Sequence, residues 1–201
     1  MLIEHAGKRP QIDPTAWIAP DATVCGDVAI GPGARVLHGA RIIGEGGGVI
    51  RIGRDCIVME NAVLRASGRH PCTIGDHCLI GPQAHVVGAT LEAEVFVATA
   101  AAIFHGARVG RGAEVRVRAT VHLRTRLAPG DMVPIGWIAV GDPARILPPD
   151  EHDAIWAVQK PLDFPGWVYG LSRDTPDLMQ QVTRRLSETL GAHAADVILD
   201  R

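Results

Sequence analysis

The feature that most restricts what this chain can become is a period of six. Aliphatic residues stand at positions 18, 24, 30, 36 and 42, again at 52, 58 and 64, again at 74, 80 and 86, and finally at 91, 97, 103, 109, 115, 121 and 127. Four positions after each aliphatic of an uninterrupted unit comes a small residue, as at Ala22, Ala34, Ala40, Cys56, Ala62, Cys78, Ala84, Ala101, Ala113 and Thr125. A helix repeats about every 3.6 residues and a plain strand every two. A period of six fits neither, but it suits short parallel strands separated by bends, with the aliphatic and the small side chain both turned inward. Three such strands close a triangular coil of about 18 residues, and coils stack at the ~4.8 Å spacing of paired strands. The chain is therefore expected to be all-β, a left-handed parallel β-helix, the hand that hexapeptide repeats adopt against the usual right-handed crossover rule.

Composition agrees with this economy of volume. Aromatic residues make up only 4% of the chain, so the core cannot rest on large rings. Glycines in "IGPGAR", "HGAR" and "VGRGAE" fall at the expected corners, where φ > 0 is often required. Cys56 and Cys78 occupy the small inward position and read as core residues. A β-helix leaves strand edges at both ends that need covers. Residues 1 to 17 are expected to begin one cover. Residues 148–201 form the other, a helical extension packing on a β-helix domain of residues 1–147. Within it "PDEHDAIWAVQK" and "TPDLMQQVTRRLSETL" carry a helical period, Leu178, Met179, Val182, Leu186 and Leu190 sharing a face, and Thr175-Pro176 is a plausible start for the second helix. "PLDFPGWVYG" between them reads as a loop or strap.

Charge and cysteine usage exclude several function classes. With 20 basic and 22 acidic side chains the formal charge is −2, and no basic block recruits a phosphate backbone, so a nucleic-acid partner is not expected. Four cysteines without CxxC spacing, and an N-terminus lacking a signal-like apolar stretch, point to a cytoplasmic protein with reduced thiols. The apolar runs fall short of the ~18 residues of a membrane span, and no membrane association is expected. No nucleophile elbow, Walker loop or dinucleotide fingerprint is present.

Stacked coils align residues into columns. One column runs Ile43, Arg65, Val87, Phe104, His122; on the adjacent face another runs His38, Glu60, Pro82, Thr99, Val117. The loops "IGEGGGV" and "ASGRHPC" leave the same corner region, where a rigid scaffold tends to carry function.

"AWIAPDATVCGDVAIGPGARV", "PCTIGDHCLIGPQAHVVGAT", the five-residue unit between Val86 and Leu91, and "VGDPAR" resemble the γ-class carbonic anhydrases and their hexapeptide-repeat relatives, over about residues 10 to 147. The resemblance implies a homotrimer with sites between subunits, where three histidines hold zinc and lower the pKa of its water. The positions of those histidines fall on Arg65, Pro82 and Val87. The family's nearby arginine and aspartate fall on Ile43 and Glu45, its glutamine and aspartate on Met59 and Glu60, and an asparagine on Ile57. Arginine, proline and valine are not zinc ligands, so the resemblance supports the scaffold and argues against zinc hydration of carbon dioxide.

The site expected in its place puts Arg65 at an intersubunit pocket walled by Ile43, Ile57, Met59, Pro82 and Val87, with Glu45 or Glu60 as charge-assisted partner. It would bind or transform a small carboxylate or acyl compound, with no cofactor and no zinc, and Glu60, Arg65 and Glu45 are its candidate catalytic groups. The same residues also fit a vacated site filled by a salt bridge and packing. Alternatives are a relocated metal on His70, His85 and His105, an acyl-CoA-dependent acyltransferase or thioesterase using His105 or His122 as base, and a non-catalytic assembly subunit.

Overall fold

The computed structural model describes residues 1–199. Short parallel strands wind into three sheets that form the faces of a prism, the left-handed parallel β-helix that the six-residue period predicts. Two sheets have seven strands and the third has ten. Strands one coil apart pair in register, Val24 with Ile42 and Ile42 with Leu64, then Leu64 with Val86. Inward columns follow directly from that register. Ile42, Ile50, Leu64, Ile74, Ile80, Leu91 and Ile103 are among the largest fully buried side chains, and the small positions Ala22, Ala40, Ala62, Ala84, Ala101 and Ala119 show no exposure. Each large aliphatic so buried contributes roughly 1.5–3 kcal/mol, which makes the interior the main source of stability. Thr125 fills a small position by donating its hydroxyl to the Ala139 carbonyl oxygen at 3.3 Å.

The four cysteines are unpaired and buried, and Cys56 and Cys78 sit in the small inward column as expected, each thiol directed at a backbone carbonyl. No helix among the described residues is long and apolar enough to cross a membrane.

The ends differ from the expected arrangement. Residues 1 to 17 are largely the first coil itself. Leu2–Glu4 pairs with Thr23–Cys25, and Gln11–Ile12 and Trp17–Ile18 pair with the coil above. Its open edge is closed from the other terminus, where Val197–Leu199 lies antiparallel on Leu2–Glu4. At the far end Arg145–Leu147 folds back antiparallel on Ile138–Val140. Reversed strands at both ends interrupt the parallel template.

Between these ends the C-terminal segment descends the prism. Helix α1 (His152–Gln159) buries Ile155 near the last coil. "PLDFPGWVYG" is not a loop: after a single 3₁₀ turn it forms α2 (Phe164–Tyr169), with Pro165 in its first turn and Gly170 closing it at φ 71°. Helix α3 (Leu178–Leu190) starts two residues beyond Pro176 and buries Val182; Met179 is 65% exposed and lies off the apolar face, whereas Leu186 and Leu190 turn toward α2. A 3₁₀ segment, Gly191–Ala195, then delivers the chain to the first coil. Asp200 and Arg201 lie outside the described residues.

Candidate functional site

In the strand Val63–Ala66 side chains alternate, so Leu64 faces the core and Arg65 faces out. Register then places Arg65 between Ile43 on one coil and Val87 on the next. Phe104 follows, with His122 beyond it at 6.0 Å between ring centroids, so the predicted column exists. The second column also forms. Backbone N–H groups of Asn61, Gln83 and Ala100 donate to the carbonyls of His38, Glu60 and Pro82.

Glu45 reaches Arg65 from the turn after Arg41–Gly44, which closes through a hydrogen bond from the Gly48 N–H to the Glu45 carbonyl. Gly26 and Gly44 allow this layer to pack: a Cβ at Gly26, where φ is 82°, would collide with the Gly44 carbonyl oxygen. One Glu45 oxygen accepts from the Arg65 guanidinium, and the other lies 3.3 Å from His193 Nε2. Of the expected partners for Arg65, Glu45 is therefore the one in place within a single chain. Glu60 is half-buried on the neighbouring face and pairs with nothing there among the described residues.

Arg65 heads a cavity of about 360 Å³. Val87, Phe104, His85 and His105 form its prism wall; Phe164, Val168, Tyr169, Leu186 and Leu190 of α2 and α3 form the other. Sequence reasoning missed this helical wall, because apolar residues on an amphipathic helix read equally as core. Arg65 uses one nitrogen on Glu45, and its other donors make no hydrogen bond among the described residues. Ile43 lies one rung below Arg65. Ile57, Met59 and Pro82 belong to the next face, so one chain does not bring the whole expected pocket together.

The imidazoles nearby are held neutral. Burial, then His70, His85 and Arg65, bring His105 down to about 4. His85 is lowered by burial and Arg65, and His70 and His122 mainly by burial. His70 and His105 meet edge to face at 5.0 Å, and Gly88 makes this possible: with φ at 56°, its added Cβ would lie 2.6 Å from His70 Cβ. His70 Nε2, His105 Nδ1 and His122 Nδ1 are buried without hydrogen-bond partners. A second cleft of about 560 Å³, across α2, carries Arg69, Arg108, Arg124 and Arg126, with Arg124 stacked 4.6 Å over the Trp167 ring. Arg108 and Arg126 are direct ladder partners, and none of the four makes an ion pair among the described residues.

Two questions of metal chemistry separate here. At the positions where the resemblance implies a zinc ion, Arg65, Pro82 and Val87 offer no ligand atom, so these residues do not fit that group. His70, His85 and His105 do not converge as a ligand set within one chain. The histidines, cysteines and carboxylates that do converge among the described residues are His5, Cys25, His193 and Asp196, with one ligand atom from each lying within 4.8 Å of the others. The expectation of no cofactor is therefore not confirmed.

No family model matches the sequence. Gamma carbonic anhydrase 1, mitochondrial, of Arabidopsis thaliana is 33% identical over 152 residues, covering 73% of this chain and 53% of the relative. The carbonic anhydrase of Geobacillus kaustophilus is 29% identical over 112 residues, 56% of this chain and 61% of that protein. The chain thus spans about half the length of the first of these relatives. Among solved structures, a Bacillus cereus protein named as a candidate acetyltransferase superposes with a TM-score of 0.53 at 22% identity, covering 83% of this chain and 94% of that one, a likeness of fold alone. With the register, the six-residue columns and the 33% identity in agreement, the chain belongs to the γ-carbonic-anhydrase-like hexapeptide-repeat proteins.

Proposed function

We propose that this protein has lost zinc-dependent hydration of carbon dioxide and uses the Arg65 corner to bind, and in an enzymatic form to transform, a small carboxylate or acyl compound. The observation that carries the reading is a guanidinium with spare donors at the head of a cavity whose walls are mostly apolar, with His85 and His105 among them. A carboxylate on those donors gains charge-assisted hydrogen bonds, while its hydrocarbon displaces water from Val87, Phe104, Phe164 and Leu186. Glu45 divides its oxygens between Arg65 and His193, so it orients the guanidinium without blocking it.

The reading includes a homotrimer. One sheet presents an outward column of Trp17, Arg35, Ile57, Leu79, Phe96, Glu114 and Met132, in which Trp17 is 46% and Met132 48% exposed. The corresponding column on the second sheet runs Gln11, Ala29, Arg51, Thr73, Thr90, Arg108 and Arg126. The apolar face is the one suited to another copy, and in the proposed trimer its Ile57, Met59, Glu60 and Pro82 would approach a neighbour's Arg65.

A second reading, acyl transfer or thioester hydrolysis, is favoured by the arginine cleft beside His105. Adjacent like charges invite an anion such as the phosphates of an acyl carrier, and neutral His105 is in the protonation state a general base needs.

Thermal unfolding with a series of small carboxylates tests the first reading. A ligand at a hundred times its Kd stabilises by about 2.7 kcal/mol, or roughly 5–10 °C for a chain of this size. Arg65→Ala is expected to abolish that shift while the trimer persists. A shift retained in Arg65→Ala, or no carboxylate shifting the wild type, rejects the reading.

A further inference from the structure

We propose that His5, Cys25, His193 and Asp196 form a binding site for one divalent transition-metal ion of the zinc class, which pins the C-terminal segment to the first coil. The four ligands come from three separate stretches of chain. His5 directly follows the first strand, Cys25 ends the strand paired with it, and His193 and Asp196 flank the exit of the 3₁₀ segment that precedes the closing strand. Their ligand atoms face one point. His5 Nδ1 lies 2.6 Å and His193 Nδ1 2.8 Å from the two oxygens of Asp196, Cys25 Sγ lies 3.9 Å from the second of these, and the two imidazoles stack at 4.2 Å.

Donor chemistry identifies the ion. Two imidazole nitrogens, one sulfur and one carboxylate oxygen suit a borderline cation in tetrahedral coordination, whereas calcium and magnesium prefer an all-oxygen shell. Bonds of about 2.0–2.3 Å place tetrahedral ligand atoms about 3.3–3.8 Å apart, so the present set needs to move by about an ångström. Binding breaks the Cys25 S–H bond, forms a sulfur–metal bond and releases the proton to solvent. A thiolate and a carboxylate then balance the two positive charges.

The surroundings supply outer support as well. Glu45 faces His193 Nε2 at 3.3 Å, the position of the carboxylate that orients a metal-bound imidazole, and its other oxygen is held by Arg65. His5 is 4% and Cys25 3% exposed, which shields the ion, while half-buried His193 and Asp196 leave an entry path. The site is distinct from the family's zinc corner and does not depend on the carboxylate reading of Arg65.

The test uses full-length protein purified without chelator or histidine tag, titrated with Co²⁺ as a spectroscopic stand-in and with Zn²⁺ in competition. One ion per chain is expected, with a thiolate-to-cobalt charge-transfer band and a rise in Tm. Cys25→Ser should remove the band, and Cys25→Ser and His193→Gln should each weaken binding by at least about 100-fold, beyond the ~10–100-fold typical of losing an outer partner. His70→Gln should bind as the wild type does. His193 is partly exposed, so its variant keeps the fold, which circular dichroism checks. Binding below one ion per chain, a band that survives Cys25→Ser, or loss of the ion in His70→Gln overturns the proposal.

Discussion

Two corners of the same prism, linked by Glu45, treat charge in opposite ways. At one, Arg65 pairs with Glu45 beside Val87 and Phe104, a cation of the protein's own set against hydrocarbon. At the other, two to three coils nearer the start of the chain, His5, Cys25, His193 and Asp196 bring ligand atoms within 4.8 Å of one another. The backbone is the same in both places: short parallel strands, an inward aliphatic, an outward side chain. What differs is which outward residues the coil presents and which part of the C-terminal segment covers them. A β-helix fixes positions in space without fixing their chemistry, so a site can change its ligand class while the fold stays as it is.

The interior shared by the two corners should give the largest response. Leu64 is fully buried beneath Arg65, and Leu64→Ala is expected to cost about 2–5 kcal/mol in denaturant unfolding. A loss below about 1 kcal/mol would mean that the coils do not carry the stability assigned to them. Glu45→Gln sharpens the comparison, since it touches both corners. Metal affinity at the N-terminal cluster should fall about 10–100-fold by calorimetry, and Arg65 should lose its orientation in the same variant. An effect on one corner alone would dissolve the link between them. Arg65→Met separates stability from recognition. The pair is partly exposed, so the loss in unfolding free energy should stay below about 1 kcal/mol, while the response to carboxylates disappears.

The smallest effect concerns pH. His105, held near 4 in the folded chain, stays neutral while the unfolded chain takes up a proton below its ordinary value of 6.5. The unfolded state therefore binds more protons between those values, and stability falls as pH drops through that window. His70, His85 and His122 act in the same direction. A His105→Gln variant should show a shallower decline of Tm on acidification than the wild type; an unchanged slope would remove His105 from the titrating set.

The prism was legible because its signal is local and repeated. Every inward position can be counted from its neighbour, and the columns through Arg65 and through Glu60 follow by arithmetic from the coil length. Legibility ended where contacts depend on distant chain. Nothing in "DVILD" announces that Val197–Leu199 will close the edge of Leu2–Glu4, since antiparallel pairing across the whole sequence leaves no local period. The N-terminal cluster was hidden for the same reason. Its ligands stand at positions 5, 25, 193 and 196, and only His193 and Asp196, three apart, hint at a shared side. Met179 shows the converse, a residue in helical phase with its neighbours that points to solvent, while Val182 is the residue α3 buries.

The account turns on where a metal is held. Anomalous diffraction at the zinc edge, from crystals of the full chain grown with Zn²⁺, reads this directly. The expected map has one peak per chain, bonded to His5, Cys25, His193 and Asp196, and none within bonding distance of Arg65. A peak beside Arg65, Pro82 and Val87, or no peak among the four N-terminal ligands, would contradict the account.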